Sequence, residues 1–131
     1  ATKKELQSYK VEAENKMKSY RALTEINEPI SEQEFNEKIQ QTQKKLVGTI
    51  IFQRTPLRVV HRRADLVRKK KVFNIEGTYI DPVHCVLYIT AQGGTYIKEL
   101  ISGDSNRTSP NISDIFGIQM KCAELDVMSV K

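Results

Sequence analysis

The 131-residue chain is 39 % hydrophobic and carries a formal charge of +5. That is enough apolar content for one domain with a modest core, and no run approaches the roughly 18 apolar residues of a membrane span. The N-terminus is Lys-rich and then acidic, with no apolar h-region, so no secretory signal is expected. Cys85 and Cys122 lie far apart without metal-ligand spacing, and His61 and His84 do not complete a zinc set. Free core thiols in a reducing compartment and no metal are therefore expected.

In chain order, Leu6, Tyr9, Ala13 and Met17 recur at helical spacing, which predicts a leading helix over residues 3–17. With few large apolar residues it is marginal alone and is expected to continue a longer protein. Lys18 to Ile26 alternates, with Tyr20, Ala22, Thr24 and Ile26 on one face of a strand. Ser31-Glu32-Gln33-Glu34 is a capping box, and Ile30 and Phe35 hold the staple positions of a helix that turns Phe35 and Ile39 inward. Leu46 to Phe52 reads as a strand that delivers Gln53-Arg54-Thr55-Pro56, where the proline favours a turn or a sheet edge.

The charge excess is concentrated in one segment. From Arg54 to Lys71 there are eight cations against one carboxylate, Asp65, a net +7 that leaves −2 for the remainder. On charge alone this segment is either a solvated basic face or a surface for a nucleic-acid backbone. Val72 to Ile80 and His84 to Ile89 read as a hairpin around Asp81-Pro82-Val83.

Gly93-Gly94 then breaks the strand, and a short helix is expected from Thr95, as N-cap, to Gly103, as the C-terminal glycine. Tyr96, Ile97, Leu100 and Ile101 share its apolar face, with Lys98 at the border. An ordered loop with Arg107, one helical turn over Ile112 to Phe116 and a final strand complete the chain. The alternation of Ile118, Met120 and Cys122 changes phase to Ala123, Leu125 and Val127, which predicts a β-bulge near Cys122. Five or six strands and three helices, not strictly alternating, give an α+β fold rather than a doubly wound one.

Several stretches occur together in order. They are Tyr20-Arg21-Ala22-Leu23; Gln53-Arg54-Thr55-Pro56-Leu57-Arg58-Val59-Val60-His61-Arg62-Arg63; Gly94-Thr95-Tyr96-Ile97-Lys98-Glu99; Gly103-Asp104 with Arg107-Thr108 and Pro110-Asn111; and Glu124-Leu125-Asp126-Val127. In this order the chain resembles, over residues 18–128, the C-terminal part of the catalytic domain of the pseudouridine synthase ten family, the archaeal and eukaryotic enzymes acting on tRNA T-loop uridines. Gly-Thr-Tyr-Ile-Lys also resembles the Gly-Thr-Tyr-Ile-Arg motif of bacterial T-loop synthases. Departures from the family pattern include Gly93, Leu100-Ile101-Ser102, Ser105-Asn106 and Ala64-Asp65, the last in place of a usual Pro-Leu.

The resemblance implies an α+β catalytic domain around a mixed, mainly antiparallel sheet with flanking helices. It implies an isomerase that breaks the uridine glycosidic bond and rejoins the base through C5, without a cofactor. It implies tRNA as partner, no membrane, and a location inside the cell, in cytoplasm or nucleus. The family's nucleophilic aspartate belongs to a motif that this chain does not contain, so the chain alone is expected to be inactive. By position, Tyr20 would stack on the target base, Lys98 would pair with that aspartate, and Ile97 and Leu125 would wall the pocket. Arg54, Arg58, His61, Arg62, Arg63, Arg68, Lys69 and Arg107 would bind RNA. A catalytic domain lacking part of its sheet is expected to expose apolar edges and to self-associate. The alternative is a non-catalytic RNA-binding module that uses only the basic segment 54–71.

Overall fold

In the computed structural model the described residues are 17–62 and 64–130. The expected leading helix over residues 3–17 therefore falls outside them except for Met17, which opens strand β1 (Met17–Ile26) instead of closing a helix. The remaining elements are α1 (Glu32–Leu46), β2 (Ile50–Arg54), β3 (Val67–Asp81), β4 (His84–Gln92), α2 (Ile97–Ser102), β5 (Thr108–Ser109), α3 (Ile112–Phe116) and β6 (Met120–Val130). The strands form one sheet in the order β5-β2-β3-β4-β1-β6, and its pairs are antiparallel.

The alternation expected for β1 is present: Tyr20, Ala22, Thr24 and Ile26 are all buried. Their partners across β4 are Ile89, Leu87 and Cys85, all buried. Side chains paired this way share a face, and the helices cover this one. Ser31 caps α1 by accepting from the Glu34 amide at 3.1 Å, and Phe35, Ile39 and Leu46 point to the core. The helix sits on β3 at Gly77, where a Cβ would lie 2.7 Å from Ile39 Cδ1 and 2.9 Å from Phe35 Cζ. Only glycine permits that approach.

Three boundaries differ from expectation. Leu46 ends α1 rather than starting a strand, because it completes the buried stripe of Phe35, Ile39 and Thr42. The chain then turns at Gly48, φ 80°, and the strand runs from Ile50 to Arg54. Strand β3 begins at Val67, five residues before the expected Val72, because Arg68 to Lys71 find a hydrogen-bonded neighbour in β2. Thr95 does not cap α2: its hydroxyl donates to the Gln92 carbonyl at 2.6 Å, and Tyr96 holds the cap position without a side-chain bond.

The predicted bulge is present. Leu23 pairs with Glu124 and Thr24 with Cys122, which leaves Ala123 as the extra residue of β6. A second shift, Ser19 with Ser129 and Tyr20 with Val127, leaves Met128 extra. Both cysteines are buried, free thiols; burial pushes the Cys85 thiol up to about 12. No helix among the described residues is long and apolar enough to cross a membrane. The described residues also hold no cluster of three His, Cys, Asp or Glu that could bind a metal.

Candidate active site and basic surface

The Gly-Thr-Tyr-Ile-Lys stretch is held from below by a side chain of β2. Gln53 is fully buried. Its Oε1 accepts from the Tyr96 amide at 2.9 Å, and its Nε2 donates to the Tyr96 carbonyl, also at 2.9 Å. The same Nε2 lies 3.3 Å from Thr108 Oγ1 on β5. One amide thus meets both backbone groups of a residue that no strand pairs, as a neighbouring strand would. It fixes the start of α2 to the sheet.

From that start, Ile97, Leu100 and Ile101 are buried as expected, and so is Glu99. The helix ends at Gly103, φ 86°, where a Cβ would meet Asn111 Nδ2 at 2.8 Å. Lys98 is exposed, and no ion pair joins it to a carboxylate among the described residues. Burial raises the thiol pKa of Cys122 on β6, and the charge of Lys98 opposes that rise, so Lys98 lies within electrostatic reach of β6.

Tyr20 and Ile97 belong to one buried apolar cluster, with Leu125 packed against it. The register puts Val127 beside Tyr20 and Leu125 beside Ala22, so Leu125 reaches Tyr20 diagonally on the same face. Tyr20 is only 8 % exposed, and burial raises its phenol pKa. The four expected pocket residues thus divide: Tyr20 and Ile97 lie in one buried apolar cluster with Leu125 packed against it, and Lys98 is exposed.

The expected RNA-binding residues divide as well. Thr55 closes a neck with Ala64 and Leu66: the Thr55 amide donates to the Leu66 carbonyl at 2.9 Å, and Thr55 Oγ1 donates to the Ala64 carbonyl at 2.7 Å. Asp65 receives Arg54 at 2.9 Å on one oxygen and Arg107 on the other. Arg107 also donates to the Thr55 carbonyl at 2.9 Å. Arg58 donates to Glu99 Oε2 at 3.0 Å, and that hydrogen bond is the main cause of its raised pKa. Arg54, Arg58 and Arg107 are therefore tied to carboxylates inside the chain. His61, Arg62, Arg68 and Lys69 are exposed, and among the described residues none of the four makes an ion pair with a carboxylate. Arg63 lies outside the described residues.

Residues to which the sequence assigned no role in the site are therefore Gln53, Asp65 and Glu99. Glu99 is 6 % exposed, and its Oε1 has no hydrogen-bond partner among the described residues. One legible signal was a polar Gln53 at the same strand parity as Ile51.

Residues 1–131 match the family described as Pus10, C-terminal. The chain belongs to this family. Among Pus10 relatives, the tRNA pseudouridine synthase Pus10 of Methanocaldococcus jannaschii is 43 % identical over 113 residues, covering 86 % of this chain and 24 % of that protein. That of Korarchaeum cryptofilum is 44 % identical over 116 residues, covering 88 % of this chain and 30 % of that protein. The chain thus spans less than a third of the length of these relatives. In a crystal structure of a Cbf5-Nop10-Gar1 complex, one chain superposes with a TM-score of 0.66 at 25 % identity, over 89 % of this chain and 31 % of that one. A chain of an H/ACA RNP bound to a substrate RNA gives 0.58 at 22 % identity, over 91 % and 30 %, a likeness of fold. The α+β reading, with a mainly antiparallel sheet and flanking helices, therefore stands.

Proposed function

We propose that this chain is the part of a tRNA pseudouridine synthase that supplies the lysine side of the active-site pocket and a share of the tRNA contact. The observation that carries this reading is Lys98: an exposed cation on a helix anchored to the sheet by Gln53, with no carboxylate of the described residues paired to it. Facing an aspartate from the rest of the enzyme, the ammonium group favours the ionised, nucleophilic carboxylate. Tyr20 is the base-stacking residue, and Ile97 and Leu125 keep water from the reacting sugar–base bond. His61, Arg62, Arg68 and Lys69 engage tRNA phosphates, and no cofactor takes part. The enzyme works inside the cell, where its substrate is. Val127 and Met128 are exposed on β6, a strand at the margin of the described sheet; this supports coverage of that edge by another part of the enzyme or by a second copy.

The test is pseudouridine formation on a T-arm transcript by the full-length enzyme. Lys98→Ala is expected to lower turnover by at least about a hundredfold, the scale of losing one electrostatic group at a reacting centre, while tRNA affinity persists. Tyr20→Phe keeps the ring and loses the hydroxyl, which separates stacking from proton handling. Full activity in Lys98→Ala would overturn the assignment and leave the helix a structural element, whereas an active Tyr20→Phe is what stacking alone requires and full activity in Tyr20→Ala would overturn that role.

A further inference from the structure

The face of β2–β3 turned away from α2 differs from the rest of the surface. The register pairs Ile50 with Lys71, Phe52 with Lys69 and Arg54 with Val67. These six side chains share one face, and all six are exposed. On the other face of the same strand, Ile51 and Gln53 are buried, and Gln53 holds the start of α2 there. Phe52 therefore cannot turn inward without reversing the strand. It stays 47 % exposed, with Lys69 Nζ 5.9 Å from its ring centroid. Next along β3, Lys71 Nζ lies 5.7 Å from the centroid of Phe73.

We propose that this face is a second RNA-contact surface, a platform on which unpaired nucleotides stack on Phe52 and Phe73 while Lys69 and Lys71 take their phosphates. This rests on the proposed RNA substrate and adds a site on the opposite side of the sheet from Lys98. Charge complementarity selects the occupant. Arg54 on this face is paired with Asp65, but Lys69 and Lys71 make no ion pair with a carboxylate of the described residues, so an apolar protein partner would bury two ammonium groups without counter-charges. A polyanion supplies the counter-charge. Among polyanions, only a single strand also offers bare base faces to flat rings, because a duplex keeps its bases stacked inside.

The experiment uses the full-length enzyme, a short single-stranded RNA carrying 2-aminopurine, and an RNA duplex of equal length. Phe52→Ala is expected to weaken single-strand binding by at least about fivefold, the low end of base–aromatic stacking, and to reduce the fluorescence quenching. Duplex affinity should not change, and Phe52→Tyr should bind as the unsubstituted enzyme does. Equal single-strand affinity and quenching in Phe52→Ala, with the unsubstituted enzyme binding tRNA normally, overturns the platform and leaves the proposed catalytic role intact. Loss of self-association in Phe52→Ala, with RNA binding unchanged, assigns the face to a protein instead. An unsubstituted enzyme that binds no RNA sinks both ideas.

Discussion

Residues 54–71 hold one block of positive charge in the sequence and two unlike regions in the structure. In the loop half, Arg54 and Arg58 join Arg107 in pairing with Asp65 and Glu99, and Thr55 closes the neck. In the strand half, Lys69 and Lys71 lie beside rings instead of carboxylates. The loop arginines act first as ties that give the loop one shape. Lys69 and Lys71 face outward. A count of charge along a sequence measures the field around a protein, but not which cations are free to meet a partner.

That contrast can be broken at its common foundation. Gln53 supports both regions, since it lies in β2 and anchors α2. Gln53→Ala removes three hydrogen bonds from buried groups and leaves a cavity, so a loss of about 2–4 kcal/mol in chemical unfolding is expected. A loss below about 1 kcal/mol would show that α2 is held by its apolar face alone.

A smaller effect sharpens the difference between tied and free cations. Asp65→Asn unties Arg54 and Arg107, both at partly exposed positions, so the stability cost should be about 1 kcal/mol or less. In RNA binding the two freed guanidinium groups should steepen the slope of log affinity against log salt by about 1–2. An unchanged slope would mean that the tied arginines already contact phosphate. The smallest expected effect is that of Lys69→Gln. Its stability should stay within about 0.5 kcal/mol of the unsubstituted protein, while the salt slope becomes shallower by about 1. A clear loss of thermal stability in that variant would make Lys69 a structural residue and remove the distinction.

What could be foreseen from the sequence had local causes. The alternation of β1, the Ser31 cap and the phase change in β6 each reside in a few neighbouring residues, and each stands in the structure. The family likewise showed in short motifs in a fixed order. The ties of the candidate site did not show, because their partners are distant in sequence: 43 residues separate Gln53 from Tyr96, 41 separate Arg58 from Glu99, and 42 separate Asp65 from Arg107. The misplaced strand starts have a related cause. Leu46 fits a helical stripe as well as a strand, and the cations of β3 mask an alternation that only the pairing with β2 reveals. Asp65 gains its role only when two arginines from different elements converge on it.

The two bulges of β6 give that strand slack. Ala123 and Met128 are residues that β1 does not count, so the strand can lose one of them without changing which neighbours face the helices. Between them, Leu125 to Val127 opposes Ala22 to Tyr20 with no spare residue. Insertions and deletions that drift along the C-terminal strand can therefore be absorbed on either side of this window. The stretch of β6 beside Tyr20 is insulated from changes in chain length.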